Sequence, residues 1–354
     1  MEKLNVAVLF GGKSGEHEVS IMSAMSVMKN LSKEKYNIIP VGIDKDGQWY
    51  LYKGDTENIR PGEWIKNSKK AFIPPDPFIK GVMVLEDDSY ITLNIDVVFP
   101  VLHGPNGEDG TVQGLLELAE LPYVGSGVVG SACAMDKAVA NSLFLQAGLP
   151  HADFVALRSS EAAKFIDEIE KRFGYPCFVK PANMGSSVGI TKAHNREELV
   201  FGLKEAGKYD KKIVVEKFIN AREIECAVLG DDDVVVSYPG EIIPSKEFYD
   251  YEAKYLDGDN SKLLIPADLP EEKTREIREL AARAYKAVNA EGMARVDFLV
   301  DRDTLKVYIN EVNTIPGFTR ISMYPKLMEY SGIPYGQLLD RLIDIAIKRR
   351  KKDE

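Results

Sequence analysis

Apolar residues come in short bursts separated by glycine-rich polar loops, and the spacing within each burst predicts alternating strands and helices. Asn5 to Phe10 is a continuous apolar run of buried-strand length. It breaks at Gly11-Gly12-Lys13-Ser14-Gly15-Glu16, and helical periodicity follows from Ile21 to Leu31. Tyr36 to Ile43 and Val97 to Leu102 repeat the strand signal; the latter ends in His103-Gly104-Pro105-Asn106-Gly107-Glu108-Asp109-Gly110 before a helix over Thr111 to Ala119. Between them, residues 44–94 lack helical periodicity and carry Pro74-Pro75-Asp76-Pro77, which predicts an insertion of hairpins and loops. Strand, glycine-rich turn and helix open a doubly wound α/β unit whose ligands gather at strand carboxyl ends, so Glu16 and His103 are expected to face one crevice. Glu16 and Glu18 equally suit a helix N-terminus, and a lone histidine in such a turn equally serves as a structural hydrogen-bonder.

Farther along, Gly130 to Ala147 reads as one helix carrying Asp136 and Lys137, closed by Gly148-Leu149-Pro150, and Ser160 to Phe173 reads as an amphipathic helix. Tyr175 to Pro181 is a strand followed by Gly185-Ser186-Ser187-Val188-Gly189 and a return strand. Such a hairpin flap can fold N–H groups and hydroxyls over phosphate oxygens, with Lys180 as point charge. After the strand Lys212 to Ile219, a bend exposing the Lys217 carbonyl and Ile219 N–H can pair with an adenine edge, and Glu223 can accept ribose hydroxyls. The run Lys246 to Tyr255 alternates aromatic and charged residues without strand or helix period, as a lid does. Pro270 to Asn289 and Pro334 to Arg350 read as helices.

The most informative stretch is Ala294 to Pro325. Two apolar runs, Met293 to Val300 and Leu305 to Ile309, flank a polar turn and predict a β-hairpin bearing Arg295, Asp297, Glu311 and Asn313. Whether the two pairs share a face depends on the turn. A plain four-residue loop pairs Val300 with Leu305 and separates Asp297 from Glu311; a three-residue loop or a bulge unites them, and we expect the latter. Converging oxygen donors with no histidine or cysteine suit a hard cation such as Mg²⁺, whereas alternate acidic residues also describe a solvated outer face. The following Pro316-Gly317 turn can aim a backbone N–H beside such a cation.

Composition narrows the picture. The chain has 354 residues, 45% of them hydrophobic, enough for two or three packed domains of a soluble globular protein. A net charge of −10 argues against a nucleic-acid surface, and the only basic run, Lys348 to Lys352, reads as a solvated helix end. Cys133, Cys177 and Cys226 lack paired spacing and sit in apolar contexts, as reduced core residues do. No run of about 18 apolar residues and no leader pattern is present, so a cytoplasmic location away from membranes is expected.

Taken together, Gly11-Gly12-x-Ser14-x-Glu16-x-Glu18-Val19-Ser20, His103-Gly104 with Gly107 to Gly110, the Gly185 to Gly189 flap, Tyr251-Glu252-Ala253-Lys254-Tyr255 and Asn310-Glu311-Val312-Asn313-Thr314-x-Pro316-Gly317 resemble the D-alanine–D-alanine ligases of the ATP-grasp superfamily, in order and over the whole chain. The resemblance implies an ATP-grasp fold. Residues 1–127 would form an N-terminal α/β substrate domain, 128–212 a small central domain with the phosphate flap, and 213–354 a large domain with metal site and lid. It implies a homodimer that condenses two D-alanines for peptidoglycan, using ATP and two Mg²⁺ (or Mn²⁺) ions. One D-alanine carboxylate takes the γ-phosphate, and the second D-alanine's amine displaces phosphate from the resulting acyl phosphate.

Carried over by motif, Asp297, Glu311 and Asn313 hold the metal, and Lys137, Lys180, Ser187, Glu216, Lys217, Ile219, Glu223 and Lys254 surround ATP. Glu16, Ser186 and Tyr255 close the lid, with Glu16 on the first ammonium, while Arg295 and the Gly317 N–H stabilise the tetrahedral oxyanion. His103, Ser322 and Met323 border the substrates, and the Tyr255 hydroxyl favours dipeptide over depsipeptide. Other readings are another ATP-grasp carboxylate–amine ligase, a D-alanyl-D-lactate ligase, or a nucleotide-binding regulator without turnover.

Overall fold

The computed structural model describes residues 2–59, 62–185, 188–243 and 262–353. Three sheets organise the chain. The first contains β1 (Leu4–Gly11), β2 (Tyr36–Ile43), β3 (Trp49–Tyr52), β4 (Ser68–Phe72), β5 (Gly81–Glu86), β6 (Ser89–Asn94) and β7 (Val97–Pro100), in the order β6-β5-β4-β3-β2-β1-β7. β1 runs parallel to β2 and β7, as the doubly wound reading requires, whereas β3 to β6 are antiparallel hairpins made from residues 44–94. That insertion is anchored by Trp64, fully buried with its ring 5.0 Å from Phe10. Helix α1 (His17–Asn30) starts before the expected Ile21, because its first turn buries polar side chains in place of an apolar stripe: His17 Nδ1 lies 2.8 Å from the Gly12 carbonyl, and Ser20 Oγ accepts from the Gly11 N–H at 2.8 Å. Helix α2 (Thr111–Leu118) follows β7.

The expected single helix over 130–147 is two, α3 (Val128–Met135) and α4 (Lys137–Gln146), bent by 100° at Asp136. Asp136 adopts extended backbone, and its carboxylate accepts from the N–H groups of Ala138 and Val139, so a local cap outcompetes the continuing ladder. The second sheet, β10-β9-β11-β8, consists of β8 (Phe154–Arg158), β9 (Cys177–Pro181), β10 (Thr191–Ala193) and β11 (Lys212–Lys217). β9 and β10 form the anticipated flap hairpin. Helices α5 (Ile166–Phe173) and α6 (Arg196–Tyr209) cover this sheet; the helix expected from Ser160 opens as a 3-10 turn over Ser159–Phe165. A division at 212/213 would run through β11.

The third sheet has the order β15-β14-β12-β16-β17, with β13 (Val235–Val236) paired to β12. Its other strands are β12 (Ala221–Leu229), β14 (Gly240–Ile243), β15 (Lys262–Leu264), β16 (Met293–Asp301) and β17 (Val307–Asn313). Helix α7 (Glu271–Ala287) packs its Ile277, Ala281 and Ala284 on the inner face of β12 and β16; α8 (Met323–Tyr330) and α9 (Tyr335–Asp353) follow. Leu338, Leu339 and Leu342 of α9 share one core with Val6, Val8 and Phe10 of β1. Asp340 accepts from Lys35 at 2.6 Å and from the Tyr36 hydroxyl at 2.8 Å. The basic end of α9 is not simply solvated: Arg349 donates to the carbonyls of Tyr123 and Gly125, and Arg350 pairs with Glu120.

Cys177 and Cys226 are buried, and burial pushes their thiols up to about 11 and about 12; Cys133 is only half-buried. Among the described residues, no single helix is long and apolar enough to cross a membrane.

Candidate active site

The site is built on neighbouring strands of the third sheet. On β12, Ile224, Cys226 and Val228 turn into the core, leaving Glu223 and Glu225 on the opposite face. β16 pairs Asp297 with Glu225 and places Arg295 beside it. The β16–β17 hairpin pairs Arg295 with Asn313 and Asp297 with Glu311, then shifts register, so that Phe298 faces Ile309 and Asn310 is the extra residue of a bulge. The bulge puts Asp297, Glu311 and Asn313 on one face. The turn is longer than four residues, spanning 302–306, with Val300 opposite Val307.

These side chains line a cavity of about 450 Å³ closed from the other side by Glu16, His103 and Glu108 of the first unit and by Lys137, Met184 and Gly185 of the second. Gly185 approaches so closely that a Cβ there would sit 2.7 Å from Glu16 Oε2, so a larger residue would push the Glu16 carboxylate aside where flap meets crevice. Glu16 precedes the first turn of α1, and its residue is buried.

Arg295 donates from Nε to Asp297 Oδ1 at 2.7 Å and from Nη2 to Oδ2 at 2.6 Å, with Glu225 Oε2 3.1 Å from Nε. Burial alone would weaken the charged guanidinium, yet Asp297 and Glu225 together hold its pKa well above the ordinary arginine value. A buried arginine shared by two carboxylates is fixed in orientation, as an anion-stabilising donor must be.

His103 is tied down at both ring nitrogens: Nδ1 lies 3.0 Å from the Ile315 carbonyl and Nε2 3.0 Å from Ser23 Oγ. Burial works to lower its pKa, but Glu108, 3.9 Å from Nδ1, and the Glu16 charge outweigh it and raise the value. Burial likewise raises the Glu108 carboxyl, whose Oε2 accepts from the Gly104 N–H at 2.9 Å. His103 thus clamps the first crevice to the turn after β17.

In that turn, the Ser322 hydroxyl accepts from the Thr319 N–H at 3.0 Å and lies 2.8 Å from the Thr319 hydroxyl; Ser322 precedes α8, and Met323 is buried. Gly317 sits against this pair, since a Cβ there would be 2.7 Å from Ser322 Oγ. Asn313 Oδ1 accepts from the Ile315 N–H, bracing the start of the same turn.

Of the residues expected around a nucleotide, Lys137 and Glu223 border the cavity, with Lys137 Nζ donating to the Met184 carbonyl at 2.7 Å. Lys180, Glu216, Lys217 and Ile219 lie outside its lining. Lys180 and Glu216 pair at 2.5 Å, and Asn141 Nδ2 donates to the free side of Glu216 at 3.2 Å. Burial opposes the Lys180 charge, but Glu216 prevails, reinforced by Glu311 and Glu223, so its pKa is raised. Lys217 is exposed and Ile219 half-buried in the short link from β11 to β12. Ser186, Ser187, Lys254 and Tyr255, with the whole expected lid from Lys246 to Tyr255, lie outside the described residues.

Two cavity residues, Glu225 and Lys326, belong to none of the motifs that stand out in the sequence. The alternation in Arg222-Glu223-Ile224-Glu225 signals that Glu225 shares a face with Glu223, but only the pairing with β16 sets it against Arg295.

Two carboxylates and an amide, all hard oxygen donors lining a cavity, fit Mg²⁺ or Mn²⁺ with water and phosphate completing the shell. Beside them, Arg295 and the Gly317 turn offer donors for developing negative charge.

Comparison with known proteins points the same way. The family described as D-ala D-ala ligase N-terminus matches residues 5–126, and that described as D-ala D-ala ligase C-terminus matches residues 143–344. A D-alanine–D-alanine ligase of Caldicellulosiruptor bescii is 60% identical over 99% of this chain and 97% of its own length. One of Thermoanaerobacter pseudethanolicus is 58% identical, covering 98% of each. Among solved structures, the VanG D-Ala:D-Ser ligase from Enterococcus faecalis aligns with a TM-score of 0.89 at 40% identity, covering 98% of this chain and all of its own. The D-alanine–D-alanine ligase from Coxiella burnetii aligns with a TM-score of 0.87 at 38% identity, covering 100% of this chain and 96% of its own.

Proposed function

The chain belongs to the D-alanine–D-alanine ligase family, whose members have the ATP-grasp fold, and from that premise we propose that it joins two D-alanines into D-alanyl-D-alanine, consuming ATP through an acyl phosphate, for peptidoglycan precursors. The observation that carries this reading is the bulged hairpin, which turns Asp297, Glu311 and Asn313 to one face beside Arg295 and opposite Glu16. Asp297, Glu311 and Asn313 would hold two divalent ions, which neutralise phosphate charge and activate the transferred phosphoryl group.

The remaining roles belong to the chain itself. Glu16 holds the ammonium of the first D-alanine and so presents its carboxylate to the phosphoryl donor. Lys137, Lys180, Ser187 and Lys254 offset the charge of the phosphates, while Glu216, Lys217, Ile219 and Glu223 hold the base and sugar. Arg295, locked by two carboxylates, and the Gly317 N–H stabilise the oxyanion formed when the second amine attacks. Ser322 and Met323 border the second carboxylate, with His103 fixing the wall behind the first substrate. Ser186 and Tyr255 join Glu16 in excluding water that would hydrolyse the intermediate. We further propose that the enzyme works as a cytoplasmic homodimer, and that its units divide near 127 and after Lys217, where the second sheet ends.

The test is ADP release with D-alanine, D-serine and D-lactate as acceptors, with and without Mg²⁺. Magnesium-dependent release with D-alanine, and dipeptide as main product, is expected. ATP binding without D-alanine-stimulated release would favour a regulator instead.

A further inference from the structure

We propose that Lys326 receives the carboxylate of the second amino acid, which reaches the active site through an adjoining outer cavity; this rests on the reading that the chain joins two D-alanines. The outer cavity, of about 760 Å³, lies between α1 and α8 and shares Thr319, Ile321 and Lys326 with the active-site cavity, so Lys326 stands at their junction.

Charge gives the junction a direction. Six carboxylates line the inner cavity, those of Glu16, Glu108, Glu223, Glu225, Asp297 and Glu311, against the cations Lys137, Arg295 and Lys326. A free amino-acid carboxylate entering that space is repelled unless a cation receives it. Two of the three are already engaged: Lys137 donates to the Met184 carbonyl, and Arg295 is held by Asp297 and Glu225. Among the described residues, no hydrogen bond or ion pair engages the half-buried Lys326. The outer cavity has the opposite balance, with Lys29, Arg320 and Lys326 against Glu57 and Glu329. A carboxylate drawn into the outer cavity therefore meets its receiving cation in Lys326, at the mouth of the inner one.

Position supports the same role. Lys326 follows Ser322 by four residues, one turn along the same face of α8, so its ammonium and the Ser322–Thr319 hydroxyl pair can address one carboxylate while the amine points inward. Both faces of the junction meet in this one side chain.

The experiment uses the full chain with saturating Mg-ATP, over D-alanine concentrations that resolve the two amino-acid sites. Its second arm offers D-alaninamide, which lacks a carboxylate and so serves only as acceptor. Lys326→Met is expected to raise KM for the second D-alanine about ten-fold or more, the loss of one charge-assisted contact. KM for ATP and for the first D-alanine should stay put, Lys326→Arg should recover most of the loss, and the preference for D-alanine over D-alaninamide should shrink by a similar factor. Should Lys326→Met fold poorly, Lys326→Gln carries the same expectations. An unchanged second KM with an unchanged acid-to-amide preference overturns the proposal while leaving the ligase reading intact; wild-type enzyme that makes no dipeptide defeats that reading itself.

Discussion

Gly317→Ala tests how the turn after β17 is held together. The added Cβ would lie 2.7 Å from Ser322 Oγ, so the hydroxyl must retreat by about 0.7 Å to reach ordinary contact. That hydroxyl is the partner of the Thr319 N–H at 3.0 Å and the Thr319 hydroxyl at 2.8 Å, and such a retreat breaks both bonds. Each is worth roughly 0.5–1.5 kcal/mol net, so the change costs about 1–3 kcal/mol. If the turn presents the oxyanion donor and the second-carboxylate site, that cost appears as a drop of about 5- to 150-fold in kcat/KM for dipeptide formation. Coupled ADP release under saturating ATP measures it. Ser322→Ala removes the obstacle, so adding Gly317→Ala to that variant should cost little more. An equal penalty in both backgrounds, or none in the wild-type background, refutes the steric argument.

Two further outcomes follow from buried charge and capping. His103 has a folded pKa above its ordinary 6.5, because Glu108 and Glu16 outweigh burial, so its protonated form stabilises the fold below pH 6.5 and that contribution is lost as pH rises through the folded value. Thermal unfolding of His103→Gln against wild type should show a melting-temperature gap that narrows as pH climbs past 6.5; a constant gap would contradict the assignment. Asp136→Ala removes the cap of α4 and the ion pair to Lys212, and should cost about 1–2 kcal/mol in urea unfolding while weakening ADP binding through the adjacent Lys137. Full stability with normal ADP affinity would show that the bend does not depend on the cap.

Residue chemistry in the hairpin was legible before its geometry. Asp297, Glu311 and Asn313 are plain in the sequence, but the register that unites them is set by the bulge at Asn310, which is fixed by pairing across β12, β16 and β17 rather than by local pattern. The early start of α1 was hidden because its first turn is buried through His17 and Ser20, which hydrogen-bond to backbone groups, rather than through an apolar stripe. The break at Asp136 was hidden for the converse reason: apolar spacing continues through both helices, while the deciding interaction is a single carboxylate with two N–H groups. Glu225 and Lys326 acquire meaning only from partners far along the chain, Arg295 for one and the meeting of two cavities for the other.

The clasp between α9 and the first sheet bears on how the chain comes to be folded. Val6, Val8 and Phe10 belong to the same core as Leu338 and Leu342, so during synthesis β1 waits, partly uncovered, for more than three hundred residues of translation before its final cover arrives. Truncation within α9 would therefore injure the opposite end of the polypeptide first, leaving a sticky N-terminal sheet for chaperones or proteases to find.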